Sequence, residues 1–198
     1  MTQRVSFSFG GAGRVYRVVE ATAADAARVQ HFFEAHPDYF VQCEGRAPEP
    51  AAGREFVVDR PPAEFSFRAH HNLVILSDAE EIEGVLVVSV DLLSAGVWHL
   101  GLLIVATRWH GGGLAQAAHE AYEAWARAGG ARWLRLGVVE QNGRARRFWQ
   151  RQGYTEIRRR EGVAMGELRN TVLVMCKPVA DAALDAYLAA VPRDRPDA

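Results

Sequence analysis

Three consecutive glycines, Gly111 to Gly113, stand between an apolar segment and an amphipathic one, and this junction restricts the fold more than any other feature. The preceding segment VWHLGLLIV at 97–105 is typical of a buried strand, and Gly101 within it indicates a β-bulge. One face of the following helical segment carries Leu114, Ala118, Ala121, Tyr122 and Trp125. The glycines therefore predict a strand-to-helix turn, where unobstructed backbone amides and the helix dipole favour a bound anion.

Two common phosphate-binding motifs do not fit this turn. A Walker loop needs Gly-Lys-Ser or Gly-Lys-Thr, and neither follows the glycines. A dinucleotide site needs an acidic residue at the end of the next strand, and the predicted strand 132–139 contains none. The turn is thus either a cradle for a different phosphate ligand or a flexible connection without a ligand.

Strand and helix signals alternate along the rest of the chain. The predicted strands cover 14–20, 72–77, 83–92, 97–105, 132–139, 154–160 and 170–177. Helices are predicted over about 25–34, 37–43, 114–128, 143–152 and 180–191. This order is typical of an α/β protein in which helices cover both faces of a mixed sheet.

The domain organisation follows from the same pattern. We expect residues 1–13 to be a flexible N-terminal segment and residues 14–177 to form one domain. Residues 178–198 are predicted to form a C-terminal helix with a frayed tail. The stretch 45–62, which contains glycine and proline, is predicted to be a mobile connection.

Charge and cysteine content exclude several classes of function. The formal net charge is −1, which removes a global case for nucleic-acid binding. Cys43 and Cys176 are far apart in the chain, so neither a disulfide framework nor a thiolate metal site is predicted. His70 and His71 are adjacent on a predicted strand, point to opposite faces and cannot share a metal. The apolar stretches are too short to span a membrane, and a cytoplasmic location is the simplest expectation.

Two motifs in the correct order identify a family that the chain resembles. The first reads His110, Gly111, Gly112, Gly113, Leu114 and Ala115, and the second reads Asn142, Ala145, Phe148, Trp149, Gly153 and Tyr154. Together they resemble the GCN5-related N-acetyltransferase (GNAT) superfamily, with His110 in place of the usual Gln or Arg. The resemblance implies the GNAT acyl-CoA N-acyltransferase fold, with a mixed, mostly antiparallel sheet of about six to seven strands.

The resemblance also implies acetyl-CoA as co-substrate and a set of residues that bind it. The backbone around Leu103 would pair with the pantetheine arm, the amides from Gly111 to Gln116 would bind the pyrophosphate, and Phe148 would pack on the pantetheine. The full implied set is Leu103, Ile104, Val105, His110, Gly111, Gly112, Gly113, Leu114, Ala115, Gln116, Asn142, Phe148 and Trp149.

The implied reaction is attack of a neutral primary amine on the thioester of acetyl-CoA in a ternary complex. Trp149 stands where many relatives have a tyrosine acid, and its indole can donate a hydrogen bond but not a proton. His99 is the best candidate base because imidazole titrates near neutral pH. Asp91 and Glu140 are alternatives, and either could instead orient the amine electrostatically. A solvent-facing histidine without a catalytic role remains an alternative for His99.

Arginine is unevenly distributed. Between Arg127 and Arg169 there are 11 arginines against four acidic residues. We hypothesise that this region attracts the negatively charged cofactor and that Arg147 or Arg151 contacts its phosphates. A solvated basic surface is the alternative.

Three functional interpretations remain at this point. The first is an N-acetyltransferase, the second an acyl-CoA-binding regulatory module without turnover, and the third a nucleic-acid-binding domain that uses the arginine-rich stretch. The acceptor stays open among polyamines, amino acids, antibiotics and protein amines. No nucleic-acid or membrane partner is expected, and a homodimer is possible.

Overall fold

The computed structural model describes residues 5–197, and eight strands form its sheet. The strands are β1 Ser6–Gly11, β2 Arg14–Glu20, β3 Ala69–Leu76, β4 Ile82–Val90, β5 Val97–Val105, β6 Trp133–Val139, β7 Thr155–Met165 and β8 Leu168–Pro178. Their order across the sheet is β1-β2-β3-β4-β5-β6-β8-β7. All neighbouring strands are antiparallel except β5 and β6, which are parallel, so the expected mixed and mostly antiparallel sheet is confirmed.

Six α-helices connect or cover the strands of the described chain. They are α1 Ala26–Ala35, α2 Asp38–Glu44, α3 Ala52–Val58, α4 Leu114–Ala128, α5 Gly143–Arg151 and α6 Leu184–Ala190. None of the described helices is long and apolar enough to cross a membrane. The helix α5 begins where the sequence predicts, because the side chain of Asn142 accepts a hydrogen bond from the Ala145 amide at 3.0 Å.

The parallel strands β5 and β6 are paired at their amino ends and separate toward their carboxyl ends. Hydrogen-bonded register joins Val97–Leu100 to Trp133–Leu136 and stops there, although both strands continue. The register between β4 and β5 shifts at the same level, since Val87 pairs with Leu102 and Val88 with Leu100. Gly101 is therefore the extra residue of a bulge, as its sequence context predicts. The sheet carries a gap between the carboxyl ends of its two central strands.

Apolar clusters cover both faces of the sheet. On one face α4 and α5 contribute Leu114, Ala118, Tyr122 and Trp149 to the largest cluster. On the other face α1 and α3 pack Phe32, Phe33 and Phe56 against β3, β4 and β5. A third cluster seats Tyr187 of α6 against Trp133 of β6. The predicted placement of helices on both faces is confirmed.

Three predicted segments differ from the structure. Residues 6–11, assigned to a flexible segment, form β1 and pair along β2, while residues 1–4 lie outside the described part of the chain. The predicted mobile connection 45–62 contains α3, whose Phe56 is buried against α1. The predicted frayed tail contains a 3₁₀ turn at Pro192–Asp194 with a fully buried carboxylate, and residue 198 is outside the description.

Candidate functional site

The gap between β5 and β6 forms a cavity of about 550 Å³ that is bounded by α2, α4 and α5. Many residues of its wall are those implied as cofactor-binding: Leu103, Ile104, Val105, His110, Gly111, Gly113, Ala115, Gln116, Asn142, Phe148, Trp149 and Arg151. Other helices and strands contribute Asp38, Tyr39, Cys43, Leu136, Val139 and Arg144. We call this space the first cavity.

Two residues of the implied set, Gly112 and Leu114, lie outside the lining of the first cavity, and so does Arg147, which was expected to contact the phosphates. The amide of Gly112 donates to the carbonyl of Trp109 at 2.9 Å, so the turn itself uses that amide. Leu114, the first residue of α4, is fully buried in the core, and Arg147 is exposed on α5. Arg144 of the same helix lines the cavity in addition to Arg151.

The glycine turn presents unused backbone amides to the first cavity. Gly111 and Gly113 have φ angles of 81° and 86°, a left-handed conformation that glycine adopts without strain. The first hydrogen bond of α4 runs from the Ala117 amide to the Gly113 carbonyl at 3.0 Å. The amides of residues 114–116 therefore have no acceptor within the helix and are free to bind an anion.

A second cavity of about 400 Å³ lies on the face opposite α4 and α5. Its wall comes from the loop after α3, the central strands, β7, β8 and the C-terminal segment: Asp59, Arg60, Phe65, His70, Val87, Ser89, His99, Arg135, Arg160, Val163, Val174 and Arg193 are among the lining residues. Gly101, Gly137 and Val172 line both cavities. The two cavities therefore meet at the gap in the sheet, from different sides.

A row of polar side chains crosses the floor of the second cavity. His70, Ser89, His99 and Arg135 occupy neighbouring positions on β3, β4, β5 and β6. Residues paired across strands project from the same face, so these four side chains lie side by side. The row lies next to the bulge at Gly101.

A network of three hydrogen bonds determines the tautomer of His70. The Asn72 amide nitrogen donates to the Asp59 carbonyl at 3.1 Å, so the Asn72 carbonyl oxygen faces His70 Nε2 at 2.9 Å. His70 Nε2 thus donates to Asn72, and His70 Nδ1 accepts from Ser89 Oγ at 2.9 Å. Burial lowers the pKa of His70, while the Asp59 carboxylate 3.8 Å from Nε2 opposes that shift.

His99 has a different environment in the same row. Its Nδ1 lies 3.2 Å from the Arg135 carbonyl oxygen and 3.2 Å from the Arg135 guanidinium. Burial and the adjacent guanidinium lower the pKa of His99 to about 3. The imidazole is neutral at physiological pH and is a weak proton acceptor.

The two carboxylates considered as alternative bases lie outside both cavity linings. Asp91 accepts from the Gly96 amide at 2.8 Å and from Arg68 Nε at 2.6 Å, so it stabilises the turn between β4 and β5. Glu140 forms a bidentate ion pair with Arg159, at 2.6 and 2.9 Å. Trp149 does line the first cavity, where its ring packs edge-on against Phe148 at 4.7 Å.

The C-terminal segment closes the far end of the second cavity. The buried Asp194 carboxylate accepts from Arg135, Arg160 and the hydroxyl of Tyr187. Arg193 lines the cavity, and its guanidinium lies 4.3 Å from the centroid of the Phe65 ring. No group of three or more potential metal ligands is found among residues 5–197.

Comparison with known proteins places the chain in a family. The model of the acetyltransferase (GNAT) family matches residues 29–154, and the chain belongs to that family. No curated protein matches the chain.

Solved structures of acetyltransferases share the fold. An acetyltransferase from Thermus thermophilus is 21% identical, with a TM-score of 0.65 over 83% of this chain and 97% of that chain. The ribosomal-protein-S5-alanine acetyltransferase from Vibrio fischeri is 14% identical, with a TM-score of 0.66 over 90% and 99%. The ribosomal-protein-S18-alanine N-acetyltransferase from Escherichia coli is 14% identical, with a TM-score of 0.61 over 86% and 97%. At these identities the likeness concerns the fold.

Proposed function

We propose that the protein transfers an acetyl group from acetyl-CoA to a primary amine within a ternary complex. The observation that carries this proposal is the meeting of two cavities at Gly101, Gly137 and Val172. A donor in one cavity and an acceptor in the other reach the same gap in the sheet. Alignment of two bound reactants supplies a large part of the rate in such reactions.

The first cavity suits the donor. Beyond Leu100 the backbone of β5 is not paired with β6, so its polar groups are available to the amides of the pantetheine arm. The amides at the start of α4 suit the pyrophosphate, and Arg144 and Arg151 add positive charge at the same wall. Burial and the neighbouring Arg144 lower the pKa of His110, so that side chain contributes as a neutral group at pH 7.

The second cavity suits the amine. The amine nitrogen attacks the thioester carbonyl carbon, and a tetrahedral oxyanion forms. The carbon–sulfur bond then breaks, the CoA thiolate departs, and the nitrogen loses a proton. The indole of Trp149 can donate a hydrogen bond toward the developing thiolate, but the thiolate takes its proton from solvent because indole is not an acid.

Ser89 and His70 form the proton route that the geometry favours. Ser89 Oγ accepts a proton from the amine as its own proton passes to His70 Nδ1, so one N–H and one O–H bond break and one of each forms. The Asn72 carbonyl oxygen and the Asp59 carboxylate stabilise the resulting imidazolium. His99 lies in the same row, but its pKa of about 3 makes it the weaker acceptor.

Thiol release with acetyl-CoA and a panel of primary amines tests the proposal. We expect release that depends on the amine, together with an acetylated product detected by mass spectrometry. Calorimetric titration with CoA distinguishes an enzyme from a module that binds acyl-CoA without turnover. CoA binding without thiol release for any amine would contradict the enzyme and favour an acyl-CoA-binding regulatory module.

A further inference from the structure

Two arginines and a tyrosine bind one carboxylate at the end of the second cavity. Asp194 is fully buried, and Arg135 binds it through Nε at 2.6 Å and Nη2 at 3.1 Å. Arg160 Nη2 donates to the same carboxylate at 2.9 Å, and the Tyr187 hydroxyl donates at 2.6 Å. Each carboxylate oxygen thus receives two hydrogen bonds, which fills its acceptor capacity.

The cluster keeps an excess of positive charge. Burial lowers the pKa of Arg160, and repulsion from Arg193, Arg135 and Arg158 lowers it further against the attraction of Asp194. Arg193 forms no ion pair among the described residues and rests on the Phe65 ring. Like charges gathered at a cavity wall are typical of a site that binds the opposite charge.

The other groups of the cavity do not neutralise this excess. In the described lining Asp59 supplies the single carboxylate, and it lies beside His70. Burial lowers the pKa values of His70 and His99, so neither imidazole adds charge at pH 7. The lining arginines are Arg60, Arg135, Arg160 and Arg193. Even with Asp194 included, cations outnumber carboxylates.

We propose that the acceptor carries a carboxylate in addition to its amine, and that Arg160 and Arg193 bind this carboxylate. The inference rests on the proposed function and names its substrate class. A guanidinium binds a carboxylate through charge-assisted hydrogen bonds, often in pairs. Arg160 and Arg193 both line the second cavity, so both side chains border the space that the acceptor would occupy.

The position of the arginines determines where the carboxylate sits relative to the amine. Arg160 on β7 pairs with Val172 of β8, which pairs with Val139 of β6. Three inter-strand spacings separate β7 from β5, so the backbone of Arg160 lies at least about 14 Å from that of Gly101. Even when the Arg160 side chain extends toward Gly101, several bonds must separate the amine of the acceptor from its carboxylate. Val163 and Val174 line the space between, so an aliphatic chain fits.

Matched pairs of amines test the subsite. Each ω-amino carboxylate from three to eight carbons is compared with the alkylamine of the same length, first by calorimetric titration and then by thiol release with acetyl-CoA. We expect one or more ω-amino carboxylates to bind at least about tenfold more tightly than the matched alkylamine. The same preference is expected in kcat/KM.

Three variants locate the effect. We expect Arg193→Gln to reduce the preference for the carboxylate to about threefold or less. Arg160→Gln is expected to do the same, and circular dichroism and Tm establish that it is folded, since Arg160 contacts Asp194. Arg195→Gln, which removes an exposed arginine outside both cavity linings, is the matched control and should keep the preference.

The titration decides the subsite independently of turnover. Equal binding of carboxylate and alkylamine at every chain length would overturn the inference, and so would a preference that survives Arg193→Gln and Arg160→Gln. Absence of thiol release with every amine would contradict the proposed function alone, because the binding preference is measured without acetyl-CoA.

Discussion

Ser89 has a histidine on each neighbouring strand, and the structure shows a hydrogen bond to one of them, His70. The proposed proton route therefore depends on a residue pair rather than on a single base. Replacement of either member should remove the acceptor for the amine proton while the donor cavity stays intact. Burial lowers the pKa of both histidines, and it lowers that of His99 to about 3.

We expect Ser89→Ala and His70→Gln each to lower kcat by about 10² or more. The acidic limb of the pH profile should shift or disappear in His70→Gln, because that limb reports the neutral imidazole. The measurement is kcat/KM between pH 5 and 9, because burial lowers the pKa of His70 from 6.5. His71→Gln is the matched control, since His71 projects from the opposite face and bonds Glu20 at 2.6 Å. Unchanged profiles in both variants would refute the route.

His99→Gln should leave the shape of the same pH profile unchanged. The pKa of about 3 keeps His99 neutral from pH 5 to 9, so its titration cannot appear in that range. A change in kcat of this variant without a change in the profile would indicate a role in positioning. Loss of the acidic limb in His99→Gln would instead restore His99 as the base.

Gly113 and Gly13 have similar backbone conformations, so they can be compared by the same substitution. Both have left-handed φ angles, 86° and 76°, and both face open space. Alanine at either position should cost about 1 kcal/mol of stability through backbone strain. Only Gly113→Ala should also weaken CoA binding, because the strain falls on the amides at the start of α4. Urea unfolding and CoA titration measure the two effects, and equal CoA affinity would exclude the turn as the cradle.

Sequence patterns predicted some of these site residues and missed others. The glycine turn and the Asn142 cap are local, so spacing alone predicts them. The row His70, Ser89, His99 and Arg135 joins positions that are distant along the chain. Its alignment depends on strand register and on the bulge at Gly101, which periodicity does not specify. The spacing of His70 and Asn72 on one strand face was the one local signal.

At the scale of the element, the C-terminal segment is fixed by Asp194. Burial alone would raise the pKa of this carboxyl, but hydrogen bonds from Arg135 and Tyr187 hold it below its ordinary value. We expect Asp194→Asn to destabilise the protein by about 3 to 5 kcal/mol, because the buried Arg135 and the half-buried Arg160 lose their counter-charge. Urea unfolding measures the change. Asp197→Asn, an exposed neighbour, is the control and should change stability by less than about 0.5 kcal/mol.

The bulge in β5 is the element that connects the two cavities. A side chain at Gly101 would first meet Val87 at ordinary contact distance, so Gly101→Val fits the strand but occupies the shared opening. We expect this variant to keep its CoA affinity within about threefold and to lose most of its thiol release. Calorimetry and the thiol assay give the two quantities. Retained release would show that the reactants meet elsewhere.

Two elements missed by the sequence patterns owe their form to tertiary contacts. The short strand β1 is rich in serine and glycine and is defined by its pairing with β2 through a turn at Ala12 and Gly13, both with positive φ. The helix α3 approaches α1 so closely that a Cβ at Gly53 would lie 2.3 Å from the Ala26 carbonyl oxygen. Packing rather than local preference selects these structures.

The whole molecule should lose stability as the pH falls below 6.5. Burial holds the pKa of His99 at about 3 and that of His119 at about 4, against an ordinary value of 6.5. The unfolded chain therefore binds more protons than the native state between pH 6.5 and 4. The free energy of unfolding should be highest above pH 6.5 and fall toward pH 4.5, and His119→Gln should reduce that slope. A flat profile would contradict the buried neutral state.

The arginines of the near-neutral chain separate into two groups in space. Arg144 and Arg151 border the first cavity, whereas Arg135, Arg160 and Arg193 border the second. The sequence located the clustering of arginine but connected it with the cofactor, with nucleic acid or with a solvated surface, and not with the acceptor. Arg193 lies outside the stretch in which arginine is concentrated, so only the fold brings it to the others.

The two cavities also bear on the order of events in the proposed reaction. They approach the gap in the sheet from different sides, so in the proposed reaction CoA would depart through the first cavity and the acetylated product through the second. Neither product has to wait for the other, and either substrate can load first. The positions of the two cavities thus impose no order on substrate binding or product release. Any preferred order would have to arise from coupling between the two sides of the sheet.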